Sequence, residues 1–155
     1  MLAPHSLTTI AVGDPLTLED VEAIAKGRAR AVLGDRGRAA LVKARAVVEE
    51  LLTEGAGPTY GVNTGFGALA EVRIPLEDLV TLQHRLIRSH AVGVGRALPR
   101  EPTRAMMLLR AHVLSLGYSG VRPVVVEQLL AMLEAGVHPV IPHKGSVGAS
   151  GDLAP

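Results

Sequence analysis

The chain has 155 residues, of which 48% are hydrophobic and 20% are charged, with a formal net charge of +1. This composition predicts a soluble globular domain, and its near-neutral charge argues against electrostatic binding to nucleic acid or membranes. The chain has no cysteine, which excludes disulfides and thiolate chemistry. With neither a secretory signal nor an apolar stretch of membrane-spanning length, a cytoplasmic location is expected.

The first fifty residues predict one strand and two helices. Residues 7–13 fit a short edge strand, and the capping box Thr17–Asp20 begins a first helix that is expected to continue through about Leu33. Residues 34–37 contain two glycines that interrupt it. A second helix is predicted over residues 38–53, where apolar residues recur at helical spacing. The two helices are expected to pack as a hairpin.

Loops that contain glycine alternate with helices in the rest of the chain. Residues 55–69 and 93–102 predict loops, and residues 137–155 predict an irregular tail that contains three prolines and three glycines. Three more helices are predicted, at residues 75–92, 103–116 and 122–136, the last ending at a Gly136 cap. The predicted fold class is therefore mainly α, as one helical domain with long glycine-rich loops and a short N-terminal strand.

The six histidines do not predict a metal site. His84 and His90 are six residues apart and so lie on different faces of a helix, while His138 and His143 are separated by two prolines. No HExxH pair is present, and a metal site needs ligands that converge. We therefore predict no metal.

The glycines of residues 93–95 and 145–151 resemble phosphate-binding loops only superficially. A Walker A loop needs Lys-Ser/Thr after its last glycine, whereas Lys144 precedes these glycines, and a dinucleotide fingerprint must follow a strand. An anion-binding helical module remains an alternative, as does a simple flexible surface tail.

Ala149-Ser150-Gly151 can undergo a chemistry of its own. The Gly151 nitrogen has no Cβ beside it and can approach the Ala149 carbonyl carbon closely enough to close a five-membered ring. The Ser150 hydroxyl can leave as water and create an exocyclic methylene. Two dehydrations thus yield an electrophile, which ordinary side chains do not supply. Asp152 is adjacent and can assist proton transfer, or it can cap a helix.

Three segments together resemble the aromatic amino acid ammonia-lyases, which make 4-methylidene-imidazol-5-one from Ala-Ser-Gly. They are YGVNTGFG at 60–67, LQHRLIRSHAVGVG at 82–95 and GSVGASGDLAP at 145–155. The resemblance implies a larger helical-bundle lyase in which residues 1–155 form the N-terminal domain that carries the prosthetic group. It also implies a homotetramer whose active site needs residues from the remainder, so that this chain alone is expected to be inactive.

The resemblance implies a role for each matching residue. The electrophile would come from Ala149, Ser150 and Gly151, with Asp152 in support. The base would be Tyr60, on a loop closed through Gly65 and Gly67. The substrate would be bound by Asn63, Ser89 and His90. From the residues alone, Tyr60 can equally anchor its loop by its ring, and His90 can be a helix-terminal histidine stabilised by the macrodipole.

The pair Ser89-His90 narrows the range of substrates that the resemblance implies. The histidine-specific members of the family look like this, because an imidazole can hydrogen-bond the imidazole of a substrate. The implied reaction is the loss of ammonia from L-histidine to give trans-urocanate, with attack on the electrophile by either the amine or the ring. Another aromatic substrate, an aminomutase reaction and a non-catalytic helical assembly fragment remain alternatives. No nucleic-acid or membrane partner is expected.

Overall fold

The computed structural model describes residues 7–53, 56–148 and 151–154, and only the backbone of Asp152. These residues divide into two compact units. We call the residues up to Arg45 together with Leu98–Val140 the core unit, and Ala46–Ala97 together with the residues from Ile141 onward the loop unit.

The described residues form five α-helices, six short strands and two 3₁₀ turns. The helices are α1 (Leu18–Ala25), α2 (Asp35–Leu51), α3 (Leu79–His90), α4 (Arg100–Ser115) and α5 (Pro123–Glu134). The strands are β1 (Thr8–Val12), β2 (Ala29–Leu33), β3 (Val94–Ala97), β4 (Pro142–Lys144), β5 (Val147–Gly148) and β6 (Gly151–Asp152). The 3₁₀ turns are Gly67–Leu69 and Leu76–Asp78. The prediction of a mainly helical fold with a short N-terminal strand is confirmed.

The core unit is built on a pair of parallel strands. β1 and β2 pair from Thr8 opposite Ala29 to Val12 opposite Leu33, and α1 connects them. α4 packs against α1 and α5, and α5 also contacts β2. The apolar side chains at this centre are removed from water, which is the main stabilising term in folding. Its most deeply buried members are Val12, Ile24, Leu41, Leu108, Ala111 and Val126.

The predicted continuation of the first helix to Leu33 is wrong, because α1 ends eight residues earlier. Gly27 follows the helix with φ +71°, a left-handed conformation that glycine adopts without strain. The Gly27 N–H donates to the Ile24 carbonyl at 3.1 Å, and the Arg28 N–H donates to the Ala23 carbonyl at 2.7 Å. This pair of bonds is a Schellman motif. The chain then enters β2, so the predicted hairpin of the first two helices is also wrong.

The other helix predictions are confirmed to within a few residues at their ends. α1 begins with the predicted capping box, in which the Asp20 N–H donates to the Thr17 hydroxyl and the Thr17 N–H donates to the Asp20 carboxylate. α5 ends with the predicted glycine cap: Gly136 has φ +69°, and the Val137 N–H donates to the Met132 carbonyl at 2.9 Å. Local sequence therefore determines these helix ends.

Two predicted irregular segments contain strands. β3 lies within residues 93–102 and pairs antiparallel with β4 from the tail, Val94 opposite Lys144 and Ala97 opposite Pro142. A Cβ on Gly93 would lie 2.1 Å from Cγ of Pro142, so only glycine permits this approach. The pairing joins residues nearly fifty positions apart, and no local pattern indicates it.

Arg104 is a buried cation in the core unit and is only 7% exposed. Its Nε donates to the Ile24 carbonyl at 3.1 Å, and its Nη1 donates to the Leu133 carbonyl at 2.9 Å. These carbonyls lie in the last turns of α1 and α5, where the helix dipole favours positive charge. Nη1 also lies 3.0 Å from Nε2 of His138. Burial, followed by the charge of Arg100, lowers the pKa of Arg104.

Neither a spanning helix nor a metal cluster is found in the part of the chain that the structure describes. Within residues 7–53, 56–148 and 151–154, no helix combines the length and apolar character that crossing a bilayer requires. The same residues contain no group of three or more His, Asp or Glu placed to hold a metal ion.

Candidate active site

Tyr60 lies in a turn of the loop unit and is largely exposed. Its side chain is 63% accessible to solvent. Its ring meets the ring of Phe66 edge to face, with centroids 5.7 Å apart and planes at 77°. A tyrosine that anchors a loop by its ring would be buried, so other groups must hold this turn.

Asn63 is the side chain that holds the turn. It is 1% exposed, and its Oδ1 accepts the Thr59 N–H at 2.7 Å. Its Nδ2 donates to the carbonyls of Leu51 and Gly57, each at 3.1 Å. Because the carboxamide is buried against the backbone, this geometry favours a structural role for Asn63 over the predicted contact with substrate.

The two supporting glycines occupy tight positions in the same loop. A Cβ on Gly65 would lie 2.5 Å from Cβ of Leu69, and the Gly65 N–H donates to the Val72 carbonyl at 3.1 Å. Gly67 has φ +58° and begins the 3₁₀ turn. Both glycines are therefore required by the local fold, while closure of the loop over a substrate stays a prediction.

The C-terminus of α3 fixes the orientation of the His90 ring. Nδ1 lies 2.8 Å from the Leu86 carbonyl oxygen and 3.0 Å from the Ser89 hydroxyl, which itself donates to Leu86 at 2.7 Å. A carbonyl oxygen can only accept, so Nδ1 carries the hydrogen of this bond. In the neutral ring, Nε2 then carries the lone pair and can accept a hydrogen bond.

The tail forms a short antiparallel pair around the predicted electrophile. Val147 pairs with Asp152 and Gly148 pairs with Gly151. Gly151 has φ +84°, and among the described residues other than its chain neighbours no heavy atom lies within 4 Å of an added Cβ. Ala149, Ser150 and the side chain of Asp152 lie outside the described part of the chain. The flanking residues fit a group made from Ala149-Ser150-Gly151, because glycine is suited to this backbone and the space beside it is open.

Two neighbouring clefts in the loop unit bring the three segments together. The first, which we call the tyrosine cleft, has a volume of about 460 Å³ and is lined by Tyr60, Phe66, Leu86, His90 and Leu153. The second, the glycine cleft, has a volume of about 560 Å³ and is lined by Ser89, His90, Val92, Ser146, Gly148, Gly151, Leu153 and Ala154. His90 and Leu153 line both clefts, so the phenol loop, the helix end and the tail share one region.

The lining of these clefts determines what they can bind. It combines a phenol, an imidazole, two serine hydroxyls and apolar side chains. Among the described lining residues there is no Arg, Lys, Asp or Glu to pair with the carboxylate or ammonium of an amino acid. The region therefore suits the side chain of a small aromatic substrate better than its charged end.

Sequence reasoning missed the apolar walls of the tyrosine cleft. Phe66 is the single phenylalanine of the chain and lies inside the segment YGVNTGFG, so its place beside Tyr60 could have been predicted from the sequence. Leu86 lies one helical turn before His90 on the same face of α3, as helical spacing indicates. Leu153 gave no local signal, since its place in both clefts depends on the fold of the tail.

Comparison with known proteins finds histidine ammonia-lyases among the relatives of this chain. The histidine ammonia-lyase of Anaeromyxobacter dehalogenans (strain 2CP-C) is 55% identical over 148 residues, 96% of this chain and 29% of that protein. The crystal structure of histidine ammonia-lyase from Trypanosoma cruzi matches with a TM-score of 0.84 at 37% identity, over 96% of this chain and 29% of that one. The chain thus spans under a third of the length of these relatives.

A second enzyme type shares the fold. The crystal structure of tyrosine aminomutase from Streptomyces globisporus matches with a TM-score of 0.81 at 34% identity, over 91% of this chain and 26% of that one. The family model described as aromatic amino acid lyase matches residues 16–155, which is nearly the whole chain. The chain therefore belongs to the aromatic amino acid lyase family.

Proposed function

We propose that this chain is the N-terminal domain that carries the prosthetic group of a histidine ammonia-lyase, which eliminates ammonia from L-histidine to give trans-urocanate. The observation that carries the proposal is the shared lining of the tyrosine and glycine clefts by His90 and Leu153. The lining of the two clefts includes a candidate base, an imidazole, Gly148 and Gly151, the last residue of the Ala-Ser-Gly tripeptide, in one region of the loop unit.

Residues of the tail would hold the electrophile. A 4-methylidene-imidazol-5-one made from Ala149, Ser150 and Gly151 would supply an electrophilic methylene, which makes the elimination of ammonia feasible. Gly148, which precedes the tripeptide, pairs with Gly151, its last residue. The open space beside Gly151 leaves its backbone accessible from the glycine cleft.

Tyr60 is the proposed base. Its phenol is 63% exposed and borders the tyrosine cleft, where a bound substrate could reach it. Its oxygen would accept the proton that leaves the β-carbon of the substrate. A general base in the right position typically contributes 10²–10⁴-fold to the rate.

His90 is the residue proposed to recognise the imidazole ring of the substrate. With Nδ1 donating to the Leu86 carbonyl, Nε2 can accept the N–H that a neutral substrate imidazole always carries. A phenyl ring has no such donor. This hydrogen bond favours L-histidine over L-phenylalanine, and Phe66 and Leu86 would pack against the ring.

The charged end of the substrate would be bound by residues outside this chain. The described cleft lining supplies no cation for the carboxylate, and an unpaired carboxylate is costly to desolvate. We therefore propose that the site is completed by the remainder of the enzyme in a cytoplasmic homotetramer, and that the isolated chain does not turn over histidine.

The test uses a hybrid lyase in which this chain replaces the matched 29% of the Anaeromyxobacter dehalogenans enzyme. We expect the hybrid to form urocanate from L-histidine and to show an intact-mass deficit of two waters that maps to residues 149–151. The Ser150→Ala variant should lose both the mass deficit and turnover, while the isolated chain should form no urocanate.

Three outcomes would contradict the proposal. Full turnover by Ser150→Ala would refute the electrophile, and urocanate formed by the isolated chain would refute completion of the site by other residues. The resemblance in fold to a tyrosine aminomutase makes that reaction the second candidate. Release of a β-amino acid instead of urocanate and ammonia would assign the chain to the aminomutases.

A further inference from the structure

The Tyr60 turn contains no apolar core of its own. In the described part of residues 56–74, the buried residues are Asn63, Thr64 and Gly65, none of which has an apolar side chain. Tyr60 itself is 63% exposed. Apart from the edge-to-face contact with Phe66, packing contributes little to the position of the phenol, and hydrogen bonds within the turn supply most of the constraint.

Asn63 connects four separate points of the backbone. Its side chain binds the Thr59 N–H and the carbonyls of Leu51 and Gly57. Its own carbonyl accepts the Ile74 N–H at 2.9 Å, and its N–H donates to the Thr59 carbonyl at 3.2 Å. Thr59 directly precedes Tyr60, so Asn63 holds the backbone on which the phenol is carried.

A primary carboxamide is required for this set of bonds. One oxygen accepts an N–H while one nitrogen donates to two carbonyls. A carboxylate can accept but cannot donate, and it would face two carbonyl oxygens. An alanine would leave all three backbone groups without this partner, and buried backbone groups are rarely left unpaired.

We propose that Asn63 is a positioning residue for Tyr60: its buried carboxamide holds the turn so that the phenol stays exposed on the tyrosine cleft. This inference rests on the proposed function, because positioning matters only if Tyr60 is the base. It replaces the predicted contact of Asn63 with substrate.

The first test measures catalysis in the hybrid lyase. Asn63→Asp and Asn63→Ala are compared with Thr64→Val, a matched control that is equally buried and whose hydroxyl donates only to the adjacent Gly65 carbonyl. Since a misplacement of about 1 Å can reduce a rate about 10²-fold, we expect a fall in kcat of about that size for both Asn63 variants. KM for histidine should change less, and the two-water mass deficit should remain.

The pH dependence separates positioning from general stability. In each Asn63 variant, kcat should be lower than in the wild-type hybrid at the same pH, while Thr64→Val should leave kcat unchanged. The ratio of the Asn63→Asp activity to the wild-type activity should rise towards acid pH, because a protonated carboxyl regains one donor, whereas the ratio for Asn63→Ala should stay constant. A large rise in KM with unchanged kcat would overturn the positioning role and restore the contact with substrate.

The second test does not depend on activity. Amide hydrogen exchange at Thr59 and Ile74 is measured in the 155-residue chain, and we expect faster exchange in Asn63→Ala but not in Thr64→Val. Unchanged exchange at both amides would show that the Asn63 side chain does not hold this turn. Faster exchange with an unchanged kcat and pH profile in the hybrid would refute positioning while leaving the proposed function intact. A wild-type hybrid that forms no urocanate would refute the proposed function, and the positioning role with it.

Discussion

The two units of this chain are held together by different interactions. In the core unit, residues such as Ile24, Leu41 and Leu108 are at most 1% exposed and form one apolar cluster. In the described loop unit, Ile141 is a buried apolar residue, while the other buried positions, Asn63, Thr64 and Gly65, lie in one turn. The core unit is therefore stabilised by hydrophobic burial, and the loop unit depends more on hydrogen bonds between backbone and side chain.

Both units also expose apolar side chains; in the core unit, Leu18 is 84% exposed. The apolar side chains of Val80, Ile87 and Val94 in the loop unit are 66%, 67% and 62% exposed. Exposed apolar side chains in number are typical of surfaces that another part of a protein covers. The loop unit also contains the proposed site. The residues proposed for catalysis are therefore carried by the unit with fewer buried apolar side chains.

The largest effect is expected from Tyr60→Phe, which should reduce catalysis without reducing stability. In the hybrid lyase, kcat for histidine should fall about 10²–10⁴-fold, because the base is lost. The free energy of unfolding of the chain should change by less than about 0.5 kcal/mol, since Tyr60 is exposed and phenylalanine keeps the ring contact with Phe66. Urocanate kinetics and urea unfolding followed by helical circular dichroism measure the two quantities.

Tyr118→Phe is the matched control for this variant. Tyr118 belongs to the core unit and is 90% exposed, so its substitution should change neither turnover nor stability. A kcat for Tyr60→Phe within threefold of this control would refute Tyr60 as the base.

The core unit should respond in the opposite way. Leu108→Ala removes a fully buried side chain from the centre of α4 and should reduce the free energy of unfolding by about 2–5 kcal/mol. Met106→Ala lies on the same helix at 36% exposure and should reduce it by less than about 1 kcal/mol. Urea unfolding of the 155-residue chain measures both. Equal losses would mean that the core unit is not held by this cluster.

The sequence predicted the parts of the fold that local chemistry determines. α2 to α5 follow from apolar spacing, and the ends of α1 and α5 follow from the capping box and the Gly136 cap. β2 was missed because the first helix was expected to continue past Gly27, which is a helix stop. The pairing of β3 with β4 was missed for a different reason, because it joins segments far apart in the chain.

The residues of the candidate site also fall into those that the sequence predicts and those that depend on tertiary structure. Motifs supplied Tyr60, His90 and the Ala-Ser-Gly tripeptide, since their chemistry is visible in residue types. The three bonds of the Asn63 carboxamide and the place of Leu153 between two clefts depend on tertiary structure. Asn63, which we propose to hold the backbone of its own loop, was assigned from the family resemblance to substrate binding, and its buried hydrogen bonds could not be seen in the sequence.

The smallest effect that we expect concerns pH and the core unit. His138 accepts a hydrogen bond at Nε2 from the Arg104 guanidinium, 3.0 Å away, which requires a neutral ring. Burial, followed by the positive charges of Arg104 and Arg100, lowers the pKa of His138 below its usual value of 6.5. Since Arg104 also holds the carbonyls of Ile24 and Leu133, protonation of this ring disturbs the bonds at the ends of two helices.

The sign of the effect follows from which state takes up the proton first. As the pH falls through about 6.5, the unfolded chain is protonated at this histidine before the folded chain is. The free energy of unfolding should therefore be highest above that pH and should decrease below it. Urea unfolding at a series of pH values between about 8 and 5 measures the change.

His138→Gln isolates this contribution from every other pH-dependent contribution to the stability of the chain. Glutamine can accept from Arg104 through Oε1 but does not titrate. The difference between the wild-type and His138→Gln curves should therefore be flat above about pH 7 and should grow as the pH falls below 6.5. Parallel curves over the whole range would show that the buried Arg104 does not depend on a neutral His138, and the stability of the core unit would then rest on its apolar cluster and the two helix carbonyls alone.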